Sequence, residues 1–267
     1  KACALRQSVK VAAIVPSSPL ARHGKNPPRI RGRASRPGTP TTLAGYGDLC
    51  LSSVNLSSFD PLVLSVLAAV VGYLIGSLSF AVIVSRLFGL ADPRSYGSGN
   101  PGATNVLRSG NKGAAILTLV FDALKGYVPV LVALQLGLSE TVVTLVGLGA
   151  FIGHLWPVFF KFEGGKGVAT AAGVLLGYSG ALGGLVLLVW LVTAVVFRYS
   201  SLASLAAAVA APIVQIVGWE FGPMSIGVIV MSLLLIWRHE ANIRKLMAGQ
   251  ESKLGQKAKP AAPADPR

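Results

Sequence analysis

Three runs rich in Gly, Asn, Lys, His and Arg each fall where an apolar segment ends. They are Ser95-Tyr96-Gly97-Ser98-Gly99-Asn100-Pro101-Gly102-Ala103-Thr104-Asn105, Glu163-Gly164-Gly165-Lys166-Gly167 and Arg238-His239-Glu240-Ala241-Asn242-Ile243-Arg244-Lys245. In the first, glycines let backbone N–H groups converge with no Cβ in the way. Ser98, Asn100, Thr104 and Asn105 add neutral donors, a composition suited to a phosphate. In the second, a glycine loop carrying Lys166 leads directly into the apolar run from Val168, so a cation stands at a helix N-terminus, where an anion is favoured. In the third, His239 and Asn242 share a face if the preceding helix continues past Arg238. Two phosphate-sized anion sites suit a reaction between two phosphorylated reactants, or one on a pyrophosphate. Each run also has a plainer reading: a tight connection between helices for the first, an interfacial lysine for the second and a positive anchor for Arg238.

The elements that must position these runs are apolar helices. The 267 residues are 52% hydrophobic and 13% charged, with mean hydropathy +0.64. Such a chain reads as an all-α integral membrane protein rather than a soluble domain. The net charge of +14 does not indicate nucleic acid, because residues 1–59 carry nine Lys/Arg against the single acid Asp48 and so hold over half of the excess. Both cysteines, Cys3 and Cys50, lie in that stretch, which leaves the apolar body without a thiol. Residues 1–54 are rich in Arg, Ser, Pro and Gly without a sustained period. They read as a basic disordered extension, as a transit-like peptide or, the reading favoured, as sequence upstream of a start near Val54. Residues 55–249 form the membrane domain, and 250–267 read as a disordered cytoplasmic tail.

Apolar runs occur at about 62–85, 114–136, 141–160, 168–179, 182–197, 201–218 and 223–237, giving a count of about seven transmembrane helices. The run at 168–179 is short for a straight span. Gly72, Gly76, Gly147, Gly149, Gly153, Gly173 and Gly177 recur inside the runs, and Gly149-x-x-x-Gly153 suits close helix packing. If the first run passes inward, the inner connections hold Arg86, Arg94, Arg108, Lys112, Lys161, Lys166 and Arg198. The outer connections hold Glu140 and Glu220 but no Lys or Arg. The positive-inside rule then places the N-terminus outside, with the C-terminus and all three polar runs in the cytoplasm.

Several chemistries are excluded. Gly97-Ser-Gly99-Asn-Pro-Gly102 matches G-x-G-x-x-G, and Asp122 lies 20 residues on. No strand precedes the match, however, Pro101 interrupts it and Asp122 sits inside an apolar run. No Lys-Ser/Thr follows to make a Walker A loop. His-x-x-x-x-Asp is absent, since Phe159 and Arg244 stand five residues after His154 and His239. No Asp-rich metal cluster and no G-x-S-x-G occurs.

Ser98-Gly-Asn-Pro-Gly-Ala-Thr-Asn-Val-Leu-Arg108, Gly153-His154-Leu-Trp-Pro157-Val-Phe159-Phe-Lys-Phe162-Glu-Gly-Gly-Lys166-Gly-Val and Arg238-His239-Glu-Ala-Asn242-Ile243-Arg-Lys245-Leu resemble, in order, the three motifs of the acyl-phosphate:glycerol-3-phosphate acyltransferase (PlsY) family of bacterial inner membranes. Asp122-Ala-Leu-Lys125-Gly126 is similar to a further family signature. The resemblance spans about Asn55 to Gly249, and Lys245 stands where an Arg is often expected. It implies a seven-helix enzyme that moves a fatty acyl group from acyl phosphate to the 1-hydroxyl of sn-glycerol 3-phosphate, giving lysophosphatidate and phosphate. It implies no cofactor, no metal and no nucleic acid; a soluble phosphate acyltransferase supplies the acyl phosphate. The family's phosphate loop carries over to Ser98, Gly99, Asn100, Gly102, Thr104 and Asn105. Its glycerol-phosphate contacts carry over to Arg108, Lys166, His239 and Asn242, and Ser98 joins these four as the catalytic set.

An acyl phosphate is a mixed anhydride with an activated carbonyl and a good leaving group. The protein's task is therefore to align two anions that repel each other. No carboxylate in the inner connections is an obvious base, so the departing phosphate is expected to take the hydroxyl proton, with His239 as the alternative base. Asp122 and Lys125, at i,i+3 in an apolar helix, read as an ion pair that locks packing, with a proton or ion relay as the alternative. His154 and Trp156 read as scaffolding for the second loop. The rival class is a transporter of a phosphorylated metabolite. The crowding of polar groups at one face, with no detectable inverted halves, speaks against it.

Overall fold

The computed structural model describes residues 60–254, all in a unit that begins at Val54. The expectations for residues 1–54, and for the tail beyond 254, lie outside the described residues. The described chain is all-helical: α1 Pro61–Gly76, α2 Phe80–Leu87, α3 Ala103–Leu107, α4 Lys112–Gln135, α5 Glu140–Leu155, α6 Val168–Tyr178, α7 Gly180–Phe197, α8 Ser200–Gly218, α9 Pro223–Arg238 and α10 Glu240–Met247, with one 3₁₀ turn at Val158–Phe160. Starts follow local chemistry. The Asp60 carboxylate accepts from the N–H groups of Leu62 and Val63, with Pro61 in the first turn, and the Asn111 side chain accepts from Ala114 N at 2.9 Å.

Five helical segments among the described residues are long and apolar enough to cross a membrane, or six if α9 and α10 count as one bent span. The sequence count of seven includes the run at 168–179, which is the eleven-residue α6. At about 1.5 Å per residue α6 is roughly half the thickness of a hydrocarbon core. The first apolar run is two helices, broken at Ser77–Ser79. The break lies over α4, whose Lys125 Nζ donates to Leu78 O at 2.7 Å, so a carbonyl freed by the break keeps a partner away from water. Large apolar side chains such as Leu188, Val192 and Val195 on α7 point outward, while Leu182, Gly183, Val186 and Ala194 of the same helix face the core.

Glycine decides which helices touch. A Cβ on Gly149 or Gly153 of α5 would overlap the carbonyls of Ala69 or Tyr73 on α1, and one on Gly72 or Gly76 of α1 would overlap those of Val146 or Ala150. The two backbones are thus in direct contact, as small-xxx-small spacing allows. Gly126 on α4 and Gly173 on α6 meet in the same way against Thr170 O and Ala123 O. Thr170 Oγ1 adds a hydrogen bond to Asp122 O at 2.9 Å. Asp122 and Lys125 form the buried pair, Oδ1 to Nζ 2.7 Å, with His154 Nδ1 3.6 Å from the same oxygen. Lys125 also lies over the Phe80 ring, which stacks on Phe121.

Candidate active site

The first polar run is a braced loop capped by the short α3. Arg94 chelates Asp92 through Nε (3.0 Å) and Nη2 (2.7 Å) and reaches Glu163 in the second run through Nη1 at 3.0 Å. The guanidinium holds the Asp92 carboxyl below its usual range. Asn105 is buried and fully engaged: its Nδ2 donates to Pro93 O and Tyr96 O, and its Oδ1 accepts from Ser98 N at 3.0 Å and lies 3.5 Å from Arg108 Nη1. Asn105 therefore shapes the loop, and the Ser98 N–H is turned inward to it. Ser98, Asn100, Gly102 and Thr104 line a cavity beside the loop; Gly99, with φ +66, turns the chain and is not among the lining residues.

The second run is held from both sides. Gly165 N donates to His154 O at 3.1 Å, and Arg238 donates to Gly164 O and Gly165 O, both at 3.1 Å through Nη2. Arg238 is thus bound to the loop's backbone rather than open to an anion. Trp156 packs on Trp237 with ring centroids 5.9 Å apart, and Tyr73 OH donates to Trp156 O, so His154 and Trp156 do brace this loop. Gly167, the N-cap of α6, has φ +81, and a Cβ there would strike the Phe151 ring. Only glycine fits that position.

The third run departs from a continuous helix. The chain bends by 56° between α9 and α10, with His239 at the break. His239 and Asn242 nevertheless both line the cavity, with Arg108 and Lys166. His239 Nδ1 lies 2.8 Å from Leu235 O. A carbonyl can only accept, so Nδ1 carries the proton and Nε2 is the free lone pair. Burial pushes His239, which stands past the last turn of α9, down to about 4. Lys166 Nζ donates to Asn242 Oδ1 in a short contact. Burial brings Lys166 down to about 8; the neighbouring cations Lys245, Arg108 and Arg238 push the same way, and Glu251 opposes them.

The sequence-assigned residues other than Gly99 thus meet on one cavity of about 570 Å³. Its polar end is the glycine loop, Arg108, Lys166, His239 and Asn242; an apolar arm continues between α6, α7, α8 and α9, past Leu175, Val186, Trp190 and Met231. Sequence reasoning missed one group here. Residues 251–254, assigned to the tail, run back over the polar end: Asn242 Nδ2 and Ser201 Oγ both donate to Glu251 Oε1 at 2.8 Å, and Arg108 Nη2 donates to Ser252 Oγ at 2.7 Å. The sequence signal was weak: Glu251 stands in a stretch of Lys, Gln, Ala and Pro with no periodic spacing.

The family model for glycerol-3-phosphate acyltransferase matches residues 66–249. The chain belongs to that family. The similarly named protein of Burkholderia lata is 62% identical over 198 residues, covering 73% of this chain and 93% of that one. The one from Paraburkholderia phytofirmans is 60% identical over 208 residues, covering 76% and 96%. Two crystal structures of PlsY, described as an integral membrane glycerol 3-phosphate acyltransferase, are similar at TM-score 0.67 with 40% identity (the glycerol 3-phosphate form, 73% of this chain and 96% of that) and 0.66 with 39% (the lysophosphatidic acid form, 73% and 95%). The family is one of acyltransferases with an integral membrane fold, and the transporter reading finds no support in it.

Proposed function

We propose that this protein transfers a fatty acyl group from acyl phosphate to the 1-hydroxyl of sn-glycerol 3-phosphate, with lysophosphatidate and inorganic phosphate as products. The observation that supports this most directly is the shared cavity, whose polar end joins a glycine loop to a cationic clamp and whose other end is an apolar arm suited to part of an acyl chain. In this reading Ser98, Asn100, Gly102 and Thr104 receive the donor's phosphate, while Gly99 turns their loop and Asn105 keeps it in shape. Arg108 and Lys166 receive the acceptor's phosphate, while His239 Nε2 and Asn242 orient its hydroxyls. The hydroxyl oxygen attacks the acyl carbonyl carbon, the carbonyl–phosphate C–O bond breaks, and the proton passes to the leaving phosphate. His239, held down to about 4, is a weak base at neutral pH, which favours the phosphate as proton acceptor. Alignment of two anions by fixed donors supplies most of the acceleration.

The same reading places seven helical segments in a bacterial inner membrane, α6 among them as a short one, with the N-terminus outside. The C-terminus and the site face the cytoplasm, on the side of Arg86, Arg94, Arg108, Lys166 and Arg198. The donor then arrives from a soluble phosphate acyltransferase, and the lipid product leaves laterally into the bilayer. The test is turnover by detergent-solubilised protein offered acyl phosphate, acyl-coenzyme A or acyl-carrier-protein donors with glycerol 3-phosphate. Lysophosphatidate and phosphate should form in equal amounts from acyl phosphate. Turnover from the thioesters alone would overturn the donor assignment.

A further inference from the structure

Beyond α10 the chain reverses at Gly249, φ +65, and returns across the mouth of the cavity. Its far end is pinned to the turn between α7 and α8, where Leu254 N donates to Arg198 O at 2.7 Å and Lys253 Nζ lies over the Tyr199 ring. Between these anchors the Glu251 carboxylate accepts from Asn242 Nδ2 and Ser201 Oγ, one hydrogen bond away from Lys166 through Asn242. Ser252 occupies a guanidinium nitrogen of Arg108. Two carboxylates line the cavity among the described residues. Asp122 is paired with Lys125, so Glu251 is the negative charge at the polar end. The groups around it are Lys166 from the second loop, Arg108 from the end of α3, Asn242 from α10, Ser201 from α8 and the neutral His239, with the exposed Lys245 acting on Lys166 from further out.

We propose that Glu251 is a specificity-determining residue: a resident counter-anion on the acceptor clamp that an incoming acceptor must displace. The inference rests on the assignment of Arg108, Lys166 and Asn242 as that clamp. A half-buried cluster of cations is costly without a negative partner, and Glu251 supplies one before the acceptor arrives. A phosphate dianion replaces that charge and gains more from the cations than a carboxylate does. A phosphate-free alcohol, or water, would leave the cations unpaired. Glu251 thus reserves the site for acceptors that carry a phosphate and restrains wasteful cleavage of the acyl phosphate.

The experiment titrates the full-length protein in detergent with glycerol 3-phosphate and, separately, with inorganic phosphate, by calorimetry at low ionic strength. It also measures kcat/KM for glycerol 3-phosphate and for glycerol. Docking of the strap reduces apparent affinity by the fraction of molecules that are open, so Glu251→Gln should lower Kd for both anions by roughly three- to tenfold. The kcat/KM ratio of glycerol 3-phosphate to glycerol should fall at the same time. Ser201→Ala, which removes one donor to Glu251, should shift Kd in the same direction by a smaller factor, and it decides the matter if the Glu251 variant does not fold. An unchanged or weaker affinity in either folded variant, or an unchanged ratio, overturns the proposal, because the carboxylate would then be holding Asn242 in place rather than competing. Lys166→Ala separates the two levels. If it leaves phosphate binding intact, the clamp assignment itself fails, whatever Glu251 does.

Discussion

Lys166→Ala is the sharpest probe of the proposed acceptor clamp. Lys166 stands on a loop whose backbone is fixed by Arg238 and His154, and its hydrogen-bond partner is the Asn242 side chain rather than a carboxylate. The ammonium is therefore partly buried with its charge only distantly answered, and it should bind a dianion more strongly than a surface lysine would. A charge-assisted hydrogen bond is worth roughly 1.5–3 kcal/mol, so its loss should raise KM for glycerol 3-phosphate about ten- to a hundredfold. The position of Lys166 near 8 adds a pH signature. As pH rises through 8 the free enzyme loses the proton, so KM should climb there, about two units below where an ordinary lysine would act. Lys166→Ala should flatten that limb as well as raise KM. Initial rates at saturating acyl phosphate, with acceptor varied from pH 6.5 to 9.5, measure both. A KM within twofold of wild type, or an alkaline limb that survives the substitution, would refute the assignment of Lys166 to the acceptor phosphate.

His239→Asn keeps a donor but removes the titrating ring. With wild-type His239 neutral above about 4, kcat at saturating acceptor should be flat from pH 5.5 to 7.5, and the variant should keep kcat within about tenfold. A drop of order 10²–10⁴ would make His239 the base instead. Gly167→Val forces a β-branched residue into left-handed backbone against the Phe151 ring; it should cost several kcal/mol and abolish turnover, seen as a lower Tm in detergent. Asp122→Asn leaves the buried Lys125 ammonium without its carboxylate and should destabilise by about 3–5 kcal/mol. The double variant Asp122→Asn/Lys125→Met should recover part of that Tm, and no recovery would argue against a structural ion pair.

How much of this was legible depends on whether a feature is local. Close packing at Gly149 and Gly153 was readable from their spacing, though not that α1 is the partner; the first loop's converging N–H groups were not borne out, since those of Ser98, Gly99 and Gly102 are bonded within the loop. The Asp122–Lys125 pair was readable because i,i+3 places both on one face. The break at Ser77–Ser79 was not, because the apolar run continues through it, although Gly76-Ser77 at its edge is a pair at which helices bend. What stabilises it is the ammonium of Lys125, 47 residues away. The bend at His239 has no Gly or Pro, and it lies at the end of α9, where the chain turns to place Asn242 over Lys166. Glu251 sat in a stretch without period, so only the three-dimensional return of the chain showed it.

The polar runs contain two kinds of residue that composition does not separate. Arg238 looks like an anion binder, yet its guanidinium is bound to the carbonyls of Gly164 and Gly165. Asn105 looks like a phosphate donor, yet both ends of its amide are engaged within its own loop. Lys166, Arg108 and Asn242, by contrast, are held by partners that can be exchanged: one another's side chains and the Glu251–Ser252 strap. A motif in such a site therefore encodes a loop and a ligand surface at once. Arg238 and Asn105, bound to backbone carbonyls, build the loops, because a carbonyl cannot move out of the way for a substrate; His239 spends Nδ1 on Leu235 O in the same way and keeps only Nε2 for the site. The groups bound to side chains meet the substrate, because those partners can be displaced. By this criterion replacing Arg238 should collapse the second loop and lower stability and turnover together. Replacing Arg108 should leave the fold intact and weaken acceptor binding alone.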